Sequence, residues 1–389
     1  METGIVIKPM RIYIPEEDIV DLHYRLRHTR WVSPMEDATW EDGTSGEYLR
    51  DLAAYWLSGY NWREREARLN KFDHYQATIG DSQLHFIHAK GEGPDPIPLL
   101  LMQGWPGSFV QLLPLIPLLT AARTDGTPSF DVVAMSMPGY PFSSIPRKHG
   151  MNFKRIADLI VPLMTEGLGY ERFACRGSDQ GALVQQQIGL HYPERVIGLH
   201  RSGITPFMSP MPADLSEAEV AYQQKVAAWA PTETLYARIQ ALRPETLTPA
   251  LADSPVGLAS WFIEKFQRWG DGGEQIDQHF GRDELLDNIS LHWFTGAGAA
   301  AIRSYKEAVS GTVLNPEKPP RVAVPSAIMM PLHDGVTVPA PREWAERTYN
   351  VQRWTIMEQG GHFPEWEVPG VIAADVRQFF GDRNGTITG

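Results

Sequence analysis

The chain has 389 residues, 43% of them hydrophobic, 10% aromatic and 21% charged. This balance predicts a globular protein with a substantial core, built as two or three folding units or as one large α/β domain with insertions. The formal charge is −12, from 35 Lys and Arg against 47 Asp and Glu, which argues against nucleic acid because phosphate binding relies on concentrated cations.

The single cysteine, Cys175, excludes an intramolecular disulfide and a thiolate metal cluster; set in the apolar stretch FAC, it reads as a packed core thiol. The N-terminus METGIVIKPMRIYIPEEDIVDL lacks the charged leader and apolar run of a signal peptide. No window reaches the ~18 uninterrupted apolar residues of a membrane span. The expectation is a soluble, cytoplasmic protein with no membrane anchor.

In chain order, the first 80 or so residues read as helices. EEDIVDLHYRLRHTRW and GEYLRDLAAYWLSGYNWREREARLNKF carry apolar positions three and four apart. A strand-and-helix alternation follows. LHFIHA (84–89), PLLLMQ (98–103), FDVVAMSM (130–137), RFACRG (172–177) and VIGLHRSG (196–203) read as strands, with helical stretches such as FKRIADLIVPLMTEGLG between them. Buried runs alternating with helices predict a mostly parallel sheet covered by helices on both faces. From about 204 to 312 the pattern is helical and rich in aromatics, and strands return at VAVPSAIMM (322–330) and QRWTIM (352–357). The predicted layout is a helical extension over 1–83, a first core part over 84–203, a helical cap over 204–312 and a second core part over 313–389. The cap would cover the C-terminal edge of the sheet, where α/β proteins bind ligands.

The stretch FACRGSDQGALV (173–184) reads as a buried strand, a sharp turn and the start of a helix. Gly177 and Gly181 flank the tip, where crowding forces a strained conformation that pushes the tip side chain, Asp179, into the cleft. The amide of Gln180, at the new helix's N-terminus, can donate to a developing oxyanion. A nucleophile at this turn requires an acid and then a histidine, each after a later strand. Asp334 in PLHDG and His362 in GGHF satisfy that order, whereas His333 breaks it. Glu358 and Glu365 are alternative acids, ranked lower because neither ends the preceding strand. QGWPGSF, after an early strand, offers the Trp105 amide as the second oxyanion donor, and PGYPFSS (138–144) fits a loop at the same edge.

The order QGWPGSF, PGYPFSS, GSDQG, PLHD, GGHF resembles the epoxide hydrolases of the α/β-hydrolase fold. VDLHYRLRHTRW and the stretch YWLSGYNWREREARLNKFDHYQATIGDSQLHFIHA resemble the amino-terminal extension of the microsomal-type branch, and the similarity runs from about residue 7 to 380. The resemblance implies Asp179 as nucleophile, His362 as base and Asp334 as its partner. It also implies two cap tyrosines on the epoxide oxygen, Tyr236 in LYARIQALRP and Tyr305 in WFTGAGAAAIRSYKEAV. Three positions depart from the family's usual residues: Gln103 (usually His), Gln180 (commonly Trp) and Arg176 (usually Gly).

A carboxylate displaces a leaving group from saturated carbon, forming an ester with its own side chain, where a serine would attack acyl carbon. The expected reaction is therefore epoxide plus water to a vicinal diol, with no metal or organic cofactor required. A haloalkane dehalogenase would share the nucleophile but commonly has tryptophan where Gln180 stands. A non-catalytic ligand-binding protein of the same fold is disfavoured by the intact acid–histidine pair. Trp229, Trp261, Phe262, Phe266, Trp269 and Trp293 suggest a bulky apolar or aryl epoxide. A role in specialised-metabolite biosynthesis would follow from the likeness to soluble bacterial members. A homodimer is left open.

Overall fold

Nine strands among the described residues form one sheet, and their order decides where a site can lie. A computed structural model of the protein describes residues 4–310 and 320–381. The strands are β1 (Ile5–Met10), β2 (His74–Ile79), β3 (Ser82–Ala89), β4 (Ile97–Met102), β5 (Phe130–Met135), β6 (Phe173–Gly177), β7 (Val196–Ser202), β8 (Val322–Pro331) and β9 (Tyr349–Met357). They lie in the order β1-β2-β3-β5-β4-β6-β7-β8-β9. β1, β2, β3 and β5 pair antiparallel in succession, and every other pairing is parallel. The chain enters the parallel part at β4, turns one way to β5 and then the other way to β6. That reversal opens a crevice beyond the carboxyl ends of β4 and β6.

β4, β5 and β6 are almost wholly buried, as expected for strands covered on both faces. Cys175, in the middle of β6, has no exposed surface, and burial pushes its thiol up.

The helical reading of the first 80 residues needs correction, because β1 and β2 lie within them. β1 is an edge strand with half of its alternating positions exposed, too short and mixed to stand out from a helical pattern. β2 joins β3 through Gly80-Asp81, with Ile79 opposite Ser82 and Gly80 at φ +55°. A two-residue hairpin loop needs that left-handed conformation, so a Gly-Asp pair between short alternating runs was the available signal. The long second helix is also two, Gly46–Ser58 and Trp62–Leu69, because Asn61 breaks the chain and accepts from the Glu64 amide as an N-cap.

Between β7 and β8 runs a helical insertion from Glu217–Glu233 through Ser304–Ser310. The expected boundary at 312/313 lies outside the described residues. The N-terminal helices grip this insertion along a polar seam. Tyr55 and Tyr60 donate to Asp283 (2.8 Å) and Asp287 (2.9 Å), and Trp56 Nε1 donates to Ser290 (3.0 Å). Arg65 reaches Asp283, Glu284 and Asp287 at once. No helix among the described residues is long and apolar enough to cross a membrane.

Candidate active site

β6 is fully buried, and the helix Asp179–His191 starts two residues after it ends. The reversal leaves Asp179 at φ +47°, a left-handed conformation that costs a non-glycine residue about 1–3 kcal/mol. Packing enforces it. A Cβ at Gly181 would lie 2.6 Å from the backbone carbonyl of Met102, so only glycine lets the new helix pass the end of β4. A Cβ at Gly104 would fall 1.9 Å from Asp179 Oδ1, so glycine is also what admits the carboxylate.

Because β4 and β6 are neighbours, with Met102 opposite Gly177, their following loops meet. The Trp105 amide donates to Asp179 Oδ1 at 2.9 Å. The Gln180 amide, at the second residue of its helix, has no acceptor within the helix and lies beside the same oxygen's pocket. Oδ1 is thus docked on the Trp105 amide, while Oδ2 faces His362 Nε2 at 3.5 Å, an ion-pair distance longer than a good hydrogen bond.

On the other side of the imidazole, Nδ1 and Asp334 Oδ2 are 3.1 Å apart. Asp334 is itself fixed by the Val336 amide (2.9 Å) and the Thr337 hydroxyl (3.0 Å). Burial alone would lower His362, but the Asp334 charge and the two carboxylate contacts outweigh it and push the imidazole up to about 10. The two neighbouring carboxylates thus favour the protonated imidazole in the resting site.

Tyr236 and Tyr305 come from different helices of the insertion and meet over Trp105. Their centroids lie 5.5 Å (stacked) and 5.8 Å (edge-on) from the indole and 5.8 Å from each other. The Tyr305 hydroxyl is buried and faces the Tyr236 phenol. Burial raises both phenols, with the nearby Asp179 charge adding to it, so both remain protonated donors at ordinary pH. The structure therefore gathers Asp179, Asp334, His362, Tyr236, Tyr305 and the amides of Trp105 and Gln180.

Sequence reading did not single out Tyr140. It is buried, its hydroxyl donates to Gln180 Oε1 at 3.1 Å, and burial followed by the Asp179 charge raises it. Its signal was its place in PGYPFSS at the same sheet edge. Gln180 therefore uses its side chain to hold a second loop against the elbow, and Gln103 leaves its buried Oε1 without a partner.

Of the rival acids, Glu358 is exposed. Glu365 is fully buried and occupied elsewhere, with Oε2 accepting from Ser178 Oγ at 3.0 Å. Its Oε1 lies 2.8 Å from the buried guanidinium of Arg176, an ion pair whose angles miss hydrogen-bond geometry. Arg176 also donates to Gly177 O and Ser202 Oγ. Removing one partner of a buried pair strands the other charge, so Glu365→Ala is expected to cost about 3–5 kcal/mol in chemical denaturation. A loss under about 1 kcal/mol would mean that the pair is not buried in solution.

A cavity of about 210 Å³ opens at Asp179, His362, Tyr236 and Asp334, walled by Leu183, Ile204, Phe207, Trp229 and Val336. The aromatic inference narrows here, because Trp229 is the one member of that group on the cavity wall. Phe262, Phe266 and Trp269 are buried helix packing, as Phe266 against Phe280 and Phe363 illustrates. A larger cavity, about 620 Å³, lies beyond the Tyr305 helix between Pro138–Met151 and Ala300–Glu307 and does not include Asp179.

An open sheet with an aspartate at a sharp strand-to-helix turn, a following acid and a final histidine defines an α/β-hydrolase-fold enzyme. The family model "alpha/beta hydrolase fold" matches residues 97–242, and "Epoxide hydrolase N terminus" matches residues 7–112. Epoxide hydrolase 1 of Sus scrofa is 32% identical, covering 96% of this chain and 88% of the relative. The crystal structure of juvenile hormone epoxide hydrolase from the silkworm Bombyx mori superposes with a TM-score of 0.90 at 28% identity, covering 99% and 96% of the two chains. Aspergillus niger epoxide hydrolase gives 0.83 at 27%, covering 97% and 96%. The chain belongs to the epoxide hydrolases, and its activity is epoxide hydrolysis.

Proposed function

We propose that the protein opens an epoxide carrying a bulky apolar or aryl substituent through a covalent ester on Asp179. The observation carrying this reading is the unequal treatment of the two carboxylate oxygens. Oδ1 rests on the Trp105 amide, while Oδ2 is turned toward His362 and the cavity.

Oδ2 attacks an epoxide carbon, the C–O bond breaks, and the alkoxide is met by the hydroxyls of Tyr236 and Tyr305. One phenol supplies the proton. Ester formation consumes the Asp179 charge, one of the two carboxylates that hold the proton on His362. The imidazole then returns a proton to the tyrosinate left by that phenol and becomes the base, with Asp334 still orienting Nδ1–H. It takes a proton from water as that water attacks Cγ of Asp179. The oxyanion then develops on Oδ1, already seated at the Trp105 amide, with the Gln180 amide as its second donor. Collapse breaks the Cγ–Oδ2 bond as the imidazolium protonates the departing oxygen, releasing the diol, and the carboxylic acid left on Asp179 gives its proton to His362, which restores the carboxylate and the imidazolium. The apolar wall from Leu183, Phe207, Trp229 and Val336 supports an apolar substituent beside the ring.

The route fixes the origin of the diol's new oxygen. In a single turnover in ¹⁸O water with enzyme in excess, the diol is expected to be unlabelled because its oxygen is Oδ2. The label appears in the peptide containing Asp179. Labelled diol with an unlabelled peptide would show direct attack by water and remove Asp179 as nucleophile.

A further inference from the structure

We infer that Glu367 is the residue that positions the base, clamping the backbone on both sides of His362 and tying that loop to the helical insertion. The inference rests on the reading of His362 as the base of ester hydrolysis.

The Glu367 side chain has no exposed surface, yet it accepts four hydrogen bonds. Oε1 accepts from the Phe363 amide at 2.7 Å, and Oε2 from the Gly361 amide at 2.9 Å. These residues flank His362 directly. Oε2 also accepts from the Asp271 amide (2.8 Å) and from His279 Nε2 (2.7 Å), both of which belong to the insertion. That last hydrogen bond raises His279, so the insertion supplies a side chain as well as an amide.

The two remaining amides of the loop also end on the insertion. Gly360 donates to Asp271 Oδ2 at 3.0 Å, and His362 donates to the Trp269 carbonyl at 2.9 Å. Four consecutive N–H groups, 360 to 363, thus converge on Glu367 and the turn at 269–271. The loop comes so close to that turn that a Cβ at Gly361 would sit 2.4 Å from the Trp269 carbonyl oxygen. A fully buried carboxylate is costly unless paired and hydrogen-bonded, and this one is satisfied only while loop and insertion keep their present geometry.

Glu367 is not itself among the residues lining the cavity, so its influence on the reaction passes through the loop that carries the imidazole. Alkylation needs Oδ2 and the tyrosine donors. Hydrolysis of the ester needs Nε2 within reach of a water facing Cγ, and a displacement of about 1 Å can cost 10²-fold. The two half-reactions separate the effect. In a two-step covalent mechanism kcat/KM reports alkylation alone, whereas slow hydrolysis lowers kcat and KM together.

The test uses Glu367→Gln, which keeps the side-chain size but replaces one acceptor oxygen by an NH₂ that opposes the loop amides, with styrene oxide as probe. Rapid mixing and intact-protein mass spectrometry follow formation and decay of the Asp179 adduct. The expected result is adduct formation at the wild-type rate, decay slower by about 10²-fold, and kcat and KM falling in proportion with kcat/KM unchanged. Wild-type decay, or a kcat/KM that falls in step with kcat, would overturn the inference, because a general loss of structure impairs both half-reactions. Should Glu367→Gln fail to fold, Glu367→Asp keeps the charge, shortens the reach and carries the same readouts. Trapping of the adduct by His362→Gln separates the two readings. If that variant accumulates ester and Glu367→Gln does not, the base assignment stands and the positioning role falls.

Discussion

His362→Gln is expected to leave the protein carrying its substrate as a covalent adduct. Glutamine approximates the imidazole's size and can still donate toward Asp334, but it cannot accept the proton of an attacking water. Alkylation does not require that proton transfer, so Asp179 should still open the ring. The ester should then persist, since a positioned general base contributes roughly 10²–10⁴ in rate. Intact-protein mass should rise by one substrate mass within a single turnover time, the adduct should map to the peptide containing Asp179, and steady-state diol formation should fall by the same factor. Normal turnover in this variant would remove His362 from the mechanism and, with it, the meaning of its contacts to Asp179 and Asp334.

The second large effect concerns the alkoxide. Tyr236 and Tyr305 present phenols that burial keeps protonated, with the two hydroxyls facing each other at a buried position. Neither meets a charged acceptor until a developing oxyanion forms as the ring opens. Replacing either residue by Phe should slow adduct formation by roughly 10²–10³, the usual value of one positioned donor. The double variant should lose about 10⁴ or more, with the exact sum depending on how far the two rings, 5.8 Å apart, act independently. The readout is the single-turnover rate of Asp179 alkylation, since steady-state rates would mix in hydrolysis. Ring opening at the wild-type rate in the double variant would make both tyrosines packing residues.

Much of this was readable before the structure. The seven strands from LHFIHA to QRWTIM stood out because each is a short apolar run bounded by turn residues or charge, and Asp179, Asp334 and His362 were picked out by strand-end position and chain order. β1 and β2 did not stand out, because an edge strand and a half-exposed hairpin alternate too weakly to compete with neighbouring helical periodicity. The docking of Oδ1 on the Trp105 amide was legible as an expectation; which oxygen stays free was not, because that depends on the side-chain torsion of Asp179. Arg176 looked like an isolated departure until Glu365, almost two hundred residues later, proved to be its counter-ion. Glu367 left one faint trace, a carboxylate a helical turn beyond GGHF. Its partners at 271 and 279 come from backbone and side chains that no local pattern connects.

The seam between the N-terminal helices and the insertion bears on how variants of this enzyme can be built. Arg65 spans three carboxylates of one helix, and one of them, Asp287, is buried and would be left with a stranded charge if Arg65 and Tyr60 were exchanged for residues of another lineage. The insertion that shapes the substrate cavity and the N-terminal arm, more than 200 residues apart in sequence, are therefore a matched pair. In recombination between relatives the two behave as one heritable block. A crossover that imports a new substrate pocket without its arm would inherit the specificity together with a broken interface.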